Sequence, residues 1–482
     1  MNRNLFKNYL FYILYQVLTI LTPIIVVPYT TRVIGATGLG INAFTSSIVQ
    51  WFVIFGIMGI SMYGNKEIAR VRDDRELLSK TFTGIFILQL VNMFLVSALY
   101  LGFVFFAQLD NKIIYFLQGF VLLATMFDIT WFFLGVEDFK KSSIRNMVFK
   151  LINVVLIFVF VKDATDLPIF VFINTFTQLL GQLVLFFQLK EYIDFRWVPV
   201  RDAFAQHMRP NFVLFVPQIA ISIYSVLDQT MTGLLSVDEA QLAFYQQAIR
   251  FDKMFLYFIT SIGMVMLPRI ANEHAKGDKG NIFQYLNTTL KLALYLAIPM
   301  MFGMIAVGPF FINWFLAPEF TLVGYLIALM SPIIVFISLS NVFGIQFMVP
   351  TNMLKQYSLS VIYGAVTNFI LNLILIPLYG AIGSAISVMS AELVVTITQY
   401  FYVRKHFKTD LQIRSVATYL IAGSIMCVSV YFIGLQMGSR ILTNLIQASM
   451  GAILYLGILT LSREPFHMDL LNKLKGQLPW FR

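Results

Sequence analysis

Long apolar runs recur along the whole chain and constrain its fold more than any other sequence feature. A helix needs about 20 mainly apolar residues to cross ~30 Å of bilayer hydrocarbon. Fourteen such runs occur, at about residues 9–30, 41–64, 82–106, 113–135, 144–161, 168–189, 212–235, 246–269, 287–312, 322–348, 359–377, 381–403, 415–434 and 441–461. The sequence therefore predicts an all-α polytopic membrane protein with 14 transmembrane helices.

The charge content excludes a soluble protein of this length. Only 12% of the 482 residues are charged and 59% are hydrophobic, whereas soluble domains carry about 25% charged residues. A net charge of +10 could suggest nucleic acid as a partner. Positive charge also collects on the cytoplasmic loops of membrane proteins, so the charge has to be located along the chain.

Lys and Arg are distributed very unequally between alternate loops. With a cytoplasmic N-terminus, 26 of the 34 basic residues fall in inner segments, and only Arg32, Lys112, Lys162 and Arg440 fall in outer ones. Such asymmetry sets the orientation of membrane helices. Both termini are therefore predicted to be cytoplasmic, and no nucleic-acid partner is expected.

The segment "WFFLGVEDFKK" (residues 131–141) combines aromatic, acidic and basic residues. It could be a nucleic-acid patch, the rim of an active site, or the inner end of the fourth span. The span boundaries favour a membrane exit, with the aromatic rings at the interface.

Three pairs of short segments suggest that the chain contains two copies of one unit. "AFTSSI" (43–48) resembles "AFYQQA" (243–248), and "IARVRDD" (68–74) resembles "IANEHAKGD" (270–278). Residues 135–153 likewise resemble 349–368. The order predicts two pseudo-symmetric six-helix lobes, 1–205 and 206–408, followed by 409–482 with spans 13 and 14 and a cytoplasmic tail. Parallel repeats of this length are typical of transporters.

Most enzyme chemistry has no candidate residues in this sequence. Cys427 is the only cysteine, the four histidines are far apart, and no nucleotide-binding loop is present. No metal, cofactor or catalytic residue is therefore predicted. A membrane-embedded glycan polymerase or acyltransferase remains an alternative, but it would need a large outer loop or a His/Asp pair within the membrane.

Polar residues within the spans are the remaining candidates for function, because a charge in mid-membrane costs about 2.5–3.5 kcal/mol and usually faces a cavity or partner. The predicted cavity-lining residues are Gln50, Gln218, Ser222, Ser225, Asp228, Gln229 and Gln246. Arg250 and Lys253 share one helix face, Arg32 ends the first span, and Glu392 lies within the twelfth. The alternatives are a helix–helix contact for Glu392, hydrogen bonds between helices for the Gln/Ser stripe, and a structural Asp228–Arg250 ion pair.

Several segments together resemble the Wzx-type polysaccharide flippases of the multidrug/oligosaccharidyl-lipid/polysaccharide exporter superfamily. They are "PYTTRVIGATGLGINAF" (28–44), "WFFLGVEDFKKSSIRNMVFKLI" (131–152), "LDQTMTGLLS" (227–236), "ITSIGMVMLPRIAN" (259–272) and "NFILNLILIPLYGAIGSAISVMSAE" (368–392). The resemblance covers about residues 8–405, and the Gram-positive capsule or teichoic-acid branch is the most similar. Leu134 departs from the glutamine expected in the family pattern.

This resemblance implies two lobes around an alternating-access cavity and an undecaprenyl-diphosphate-linked glycan as substrate. Arg32, Arg250 and Lys253 would then bind the diphosphate, and Glu392 and Asp228 would couple transport to an ion. Membrane lipids and a glycan polymerase or ligase are the expected partners, at the bacterial cell membrane. A cation-coupled multidrug exporter and a peptidoglycan lipid-precursor flippase remain open alternatives.

Overall fold

The computed structural model describes residues 3–194, 198–276, 279–406 and 412–477, which form helices joined by short loops and contain no β-strand. The predicted all-α fold is confirmed. The chain forms two compact units, Met1–Gly233 and Leu234–Arg482. The boundary between the units lies within the last residues of the seventh predicted span, whereas the predicted lobe boundary at 205/206 precedes that span. The assignment of three regions, 1–205, 206–408 and 409–482, stays a prediction.

The helices of the first unit pack on sequence neighbours and also on helices distant in the chain. Helix α5 packs on α8, and α7 packs on both α1 and α8. The helices are α1 Arg3–Val33, α2 Gly35–Ile57, α3 Ile60–Val71, α4 Arg75–Phe106, α5 Lys112–Met126, α6 Thr130–Gly135, α7 Phe139–Phe160, α8 Leu167–Phe187 and α9 Val200–Leu235.

The second unit contains one bent span and two appended helices at its end. The helices are α10 Ala240–Lys276, α11 Lys279–Phe315, α12 Thr321–Met330, α13 Pro332–Ser340, α14 Leu354–Tyr379, α15 Ala381–Val403, α16 Ile413–Met437, α17 Ile441–Leu461 and α18 Pro465–Gln477. The chain bends by 45° between Pro318–Met330 and Pro332–Met348, and Asn341–Met348 is a π-helix. Since π-helices are uncommon and often mark functional sites, this element is notable.

Eleven helices within the described residues are long and apolar enough to cross a membrane, and twelve if the bent pair counts as one span. Helices α9 and α10 are not among these eleven. They have 36 and 37 residues, which is more than the roughly 20 helical residues needed to span 30 Å. The predicted polytopic membrane class is confirmed, while the count of 14 stays a prediction.

The aromatic segment at the end of the fourth span is a core element, not an interface anchor. Trp131 is 2% exposed and Phe132 and Phe133 are fully buried. Trp131 stacks on Phe82 and donates to Gln89 Oε1 at 3.0 Å. A side chain at Gly64 would clash with this ring, since a Cβ there would lie 2.4 Å from it. Helices α3 and α4 cover these rings, so the rings pack inside the protein, and their depth in the membrane stays a prediction.

The charged residues that follow this segment pair with residues of two other connecting segments. Glu137 pairs with Arg72 at 2.6 Å, and Lys141 pairs with Glu191 at 2.5 Å. The Tyr192 hydroxyl donates to Asp138. Exposed ion pairs contribute only about 0–1 kcal/mol each, so their role is to position the loops rather than to stabilise the unit strongly.

Candidate functional site

The three predicted diphosphate-binding cations lie on two helices in different units. In the first unit, Arg32 lies in the last turn of α1, is exposed, and donates to the Pro28 carbonyl at 3.0 Å. In the second unit, Arg250 and Lys253 are both exposed on α10. They are three residues apart and therefore share one helix face. The Arg250 guanidinium contacts the amide oxygen of Gln247 at 3.4 Å. Their joint role as a site stays a prediction.

The predicted polar stripe on α9 is described only in its last turns, since the side chains of Gln218, Ser222 and Ser225 lie outside the described residues. Asp228 is 4% exposed and Gln229 is half-buried. The neighbouring Thr230 bonds both Trp51 and Ser47 of α2, at 3.0 and 3.1 Å. Hydrogen bonds of Thr230 therefore hold this end of α9 to α2, while the role of the stripe itself stays a prediction. The predicted Gln50 is half-buried on the same α2.

The other end of α9 is fixed in unit 1 through a buried histidine that precedes the predicted seventh span. His207 Nδ1 lies 2.8 Å from the Tyr63 hydroxyl. Its ring also fills the space beside Gly84, where a Cβ would come within 2.6 Å of Nε2. Burial lowers the pKa of His207 to about 4, so the ring is neutral near pH 7.

A buried carboxylate that sequence reasoning missed lies between the two predicted cations of α10. Asp252 is 1% exposed, and neither carboxylate oxygen has a hydrogen-bond partner among the described residues. It lies about 18 Å along the helix from Ala240, by helical rise. The signal was available, because Tyr245, Ala248 and Leu256 form an apolar stripe into which Asp252 falls.

The predicted coupling residue Glu392 and the predicted cavity residue Gln246 also belong to the second unit. Both are half-buried, on α15 and α10 respectively, and both take part in polar or electrostatic contacts. A buried carboxylate without a partner costs more than one with a partner. By this criterion Asp252 is a stronger candidate for binding a proton or cation than Glu392.

The first unit contains a polar cavity of about 450 Å³ between α1, α7, α8 and the α5–α6 corner. Two helical stripes form its walls. The lining residues are Tyr15, Thr22, Asp128, Thr130, Arg145, Asn146, Phe149, Lys150, Asn153, Asn174, Thr177, Gln178, Gly181 and Gln182. Sequence reasoning missed this cavity, although the residues from Asn174 to Gln182 follow the helical period of one polar face.

The side chains of the polar cavity are organised by hydrogen bonds between α7 and α8. Arg145 is 6% exposed and donates to Gln182 Oε1 at 2.9 Å. Asn153 donates to Asn174 Oδ1 at 3.2 Å and to Thr177 Oγ1 at 3.0 Å. These bonds hold a polar surface open between two apolar helices, which suits a polar or charged ligand.

The second unit contains a cavity of about 390 Å³ with an almost entirely apolar lining. It lies between α10, α11 and the appended helices α16 and α17, with Gly303, Met426 and Tyr455 among its walls. Its one amide, Gln447, is already bonded to the Val430 carbonyl at 2.9 Å. The cavity therefore suits a hydrocarbon chain.

Within the described residues, no three His, Cys, Asp or Glu side chains are grouped to hold a metal.

The family profile described as "Polysaccharide biosynthesis protein" matches residues 5–274, more than half of the chain. The chain belongs to this polysaccharide biosynthesis family. A second profile, MatE, matches residues 214–379. The two matches together cover residues 5–379 and so extend into both units, as expected for a member of the exporter superfamily that contains both families.

One curated relative of this family member aligns over nearly its full length. It is the "Putative O-antigen transporter" of Escherichia coli K12, 22% identical over 408 residues, which are 83% of this chain and 97% of the relative. The predicted Wzx-type membership is confirmed. The closer resemblance to Gram-positive capsule or teichoic-acid flippases stays a prediction.

Solved structures show the same fold at low sequence identity. The lipid II flippase MurJ, in an inward closed conformation, superposes with a TM-score of 0.76 at 18% identity, covering 97% of this chain and 100% of that one. An inward-facing multidrug resistance MATE transporter superposes with a TM-score of 0.61 at 14% identity, covering 81% and 93%. At these identities the likeness establishes the fold alone.

Proposed function

We propose that this family member flips a lipid-linked glycan from the inner to the outer leaflet of a bacterial cell membrane. The observation that carries the proposal is the family match over residues 5–274, together with a relative named as an O-antigen transporter. Both termini would be cytoplasmic, as the distribution of Lys and Arg favours. The substrate is moved without chemical change, and a glycan polymerase or ligase would use the product outside.

The chemistry of such a substrate explains why both cationic and apolar surfaces are needed. An undecaprenyl-diphosphate-linked glycan has a hydrocarbon tail, a polar head and a diphosphate with about two negative charges. The bare diphosphate cannot cross hydrocarbon, because an unpaired charge there is very unfavourable. Arg32, Arg250 and Lys253 would bind it, and arginine suits phosphate because its guanidinium donates two parallel hydrogen bonds.

The apolar cavity of the second unit supports a place for the tail. Its lining can neither bind sugar hydroxyls nor neutralise phosphate, since its only amide is internally bonded. A hydrocarbon chain entering it would leave lipid for an equally apolar surface. The tail would therefore be held at α16 and α17 while the head moves along polar side chains such as Gln50, Asp228, Gln229 and Gln246.

The driving force has to come from an ion gradient or from consumption of the product, since no nucleotide-binding motif is present in the sequence. Glu392 and Asp228 are the coupling groups proposed from sequence. Asp252 joins them, because a buried carboxylate loses its desolvation cost when it takes up a proton and loses much of it when it binds a cation.

Two other functions of the superfamily are the main competitors. The MATE transporter that shares the fold makes drug export a second candidate, and the lipid II flippase makes a peptidoglycan precursor a third. Drug resistance on overexpression without any change in surface glycan would favour the exporter. Rescue of a strain that lacks its own lipid II flippase would favour the peptidoglycan precursor.

The test is a flipping assay in proteoliposomes with a fluorescent undecaprenyl-diphosphate glycan, quenched from outside by a membrane-impermeant reductant. We expect transport by the wild type, no transport by Arg250→Ala, and reduced transport by Arg250→Lys, because lysine keeps the charge but not the paired hydrogen bonds. Arg440→Ala, in a predicted outer loop, is the matched control. Unchanged transport by a variant lacking Arg32, Arg250 and Lys253 would refute the diphosphate site, and no transport by the wild type would refute the function.

A further inference from the structure

We propose that the polar cavity of the first unit is a binding site for the phosphate group of a membrane lipid. The cavity lies entirely within Met1–Gly233, whereas two of the three predicted diphosphate-binding cations belong to α10. The polar cavity is therefore a second anion site, and the binding of an anionic lipid to it can be measured without any transport.

The first observation is a buried positive charge whose hydrogen-bond acceptors are uncharged and which Asp128 of the same cavity offsets only in part. Arg145 is 6% exposed, and its two terminal nitrogens donate to neutral oxygens, those of Gln182 at 2.9 Å and Thr130 at 3.3 Å. Its Nε has no hydrogen-bond partner among the described residues. Since a buried unpaired cation is strongly unfavourable, this guanidinium is suited to an anionic ligand.

A second cation, five residues further along α7, lines the same cavity. Lys150 is half-buried, and its Nζ lies 6.0 Å from the Tyr15 ring centroid, with no hydrogen bond to the described residues. The one carboxylate of the cavity, Asp128, uses Oδ1 to accept the Thr130 amide at 2.9 Å. Two cations and one carboxylate leave the cavity with a net positive charge.

The donor set fits phosphate among anions. Arginine presents fixed, planar donors and lysine a mobile ammonium, and both groups recur in phosphate recognition. The amides of Asn146 and Gln178 line the same cavity and can donate to further phosphate oxygens. A phosphate has enough oxygens to engage several of these groups together.

The surroundings of the cavity favour a phosphate that arrives on a lipid. Helices α1 and α7 pack against each other along the cavity. The other faces of these helices expose apolar side chains, including Val17 at 46%, Leu151 at 51% and Val155 at 60%. In a membrane those faces contact acyl chains, so a lipid beside them can place its head group in the cavity.

The experiment measures binding to the purified full chain in neutral detergent by titration calorimetry. The probes are dihexanoyl phosphatidic acid, inorganic phosphate, and dihexanoylglycerol, which lacks the phosphate. We expect phosphatidic acid to bind the wild type. Arg145→Gln should weaken the affinity for phosphatidic acid about tenfold or more, and Lys150→Gln should weaken it several-fold, as expected when charge-assisted hydrogen bonds are lost. Lys291→Gln is the matched control, a half-buried lysine of α11 outside the cavity, and should bind as the wild type does.

Each alternative result has a defined meaning. Equal affinity of the wild type, Arg145→Gln and Lys150→Gln would overturn the site, and so would binding of dihexanoylglycerol as tight as that of phosphatidic acid. If inorganic phosphate binds as tightly as phosphatidic acid, the proposal that the bound phosphate group belongs to a lipid would be refuted. If Arg145→Gln does not fold, Lys150→Gln decides, because no hydrogen bond of Lys150 to the described residues is lost. If Arg250→Ala abolishes the binding of phosphatidic acid, the polar cavity would not be a site separate from the predicted diphosphate site.

Discussion

Individual charged residues within the spans carry most of the functional information in this protein, and their burial separates their roles. Arg250 and Lys253 are exposed and therefore accessible to a ligand, whereas Asp252 between them is 1% exposed and lacks hydrogen-bond partners in the described structure. Neighbours in sequence thus meet opposite environments, because successive residues of a helix point in directions about 100° apart.

At this scale we predict that Asp252→Asn folds at least as well as the wild type and loses the response of transport to an ion gradient. The amide has nearly the shape of the carboxylate but cannot take up a proton, and it avoids the cost of burying a charge. The measurements are thermal unfolding and flipping rates with and without imposed proton or sodium gradients.

The matched control for this prediction is Asp469→Asn, an exposed carboxylate of α18, which should change neither quantity. An Asp252→Asn protein that keeps the full gradient response would remove Asp252 from coupling. A strongly destabilised Asp252→Asn protein would instead indicate a structural role for the carboxylate.

At the scale of helices, the packing of the appended helices α16 and α17 on α11 forms the proposed binding groove for the hydrocarbon tail. The contact is tight, since a Cβ on Gly423 would lie 2.4 Å from the Phe302 ring. The apolar cavity begins within one turn of this contact, at Gly303 and Met426. Close packing directly beside an open cavity is what a binding groove for a hydrocarbon chain requires.

Filling this cavity gives the second prediction. A Cβ at Gly303, which lines the cavity, would have no heavy atom within 4 Å, so Gly303→Leu places a side chain in the open space without a clash at Cβ. We expect flipping of the lipid-linked glycan to fall several-fold. Thermal stability should stay equal or rise, because leucine is roughly 1 kcal/mol more favourable than glycine within a helix.

Gly457→Leu provides the control, since this position on α17 is equally open but does not line the cavity. It should transport normally. Transport at the wild-type rate by Gly303→Leu, or an equal loss in both variants, would contradict the tail-binding role.

At the scale of the whole molecule, the orientation in the membrane follows from the distribution of basic residues. The positive-inside asymmetry predicts that the turn at Asp73 is cytoplasmic and that the turn before α2 is outside. Asp73 and Thr37 are exposed in the structure, so cysteines placed there can react with a reagent.

The third prediction is therefore a labelling pattern in intact cells. In a background with Cys427→Ser, which removes the only native thiol, Thr37→Cys should react with a membrane-impermeant maleimide. Asp73→Cys should react only after the membrane is permeabilised. The reverse pattern would show that the whole topology is inverted.

How far sequence reasoning reached is clearest from two segments. The apolar runs were sufficient to predict the all-α membrane fold, because spanning hydrocarbon demands about 20 apolar residues whatever the neighbours are. The segment at Trp131 was correctly placed at the end of the fourth span, but the burial of its rings inside the protein was not predicted. Which helices cover a ring is decided by packing, and the periodicity of one helix does not contain that information.

The sequence by itself determined the membrane class and the family, because these follow from local hydrophobicity and motifs, and its loop charge predicts an orientation. Only the tertiary structure decided which polar residues matter together. Arg145 and Lys150 were not among the candidate residues from sequence, yet α7 and α8 bring both into one cavity with Gln182. Asp252 stood unnoticed between two cations until its burial was known. Burial and pairing arise from contacts between distant segments, and those contacts determine whether a charge in the membrane is structural or functional.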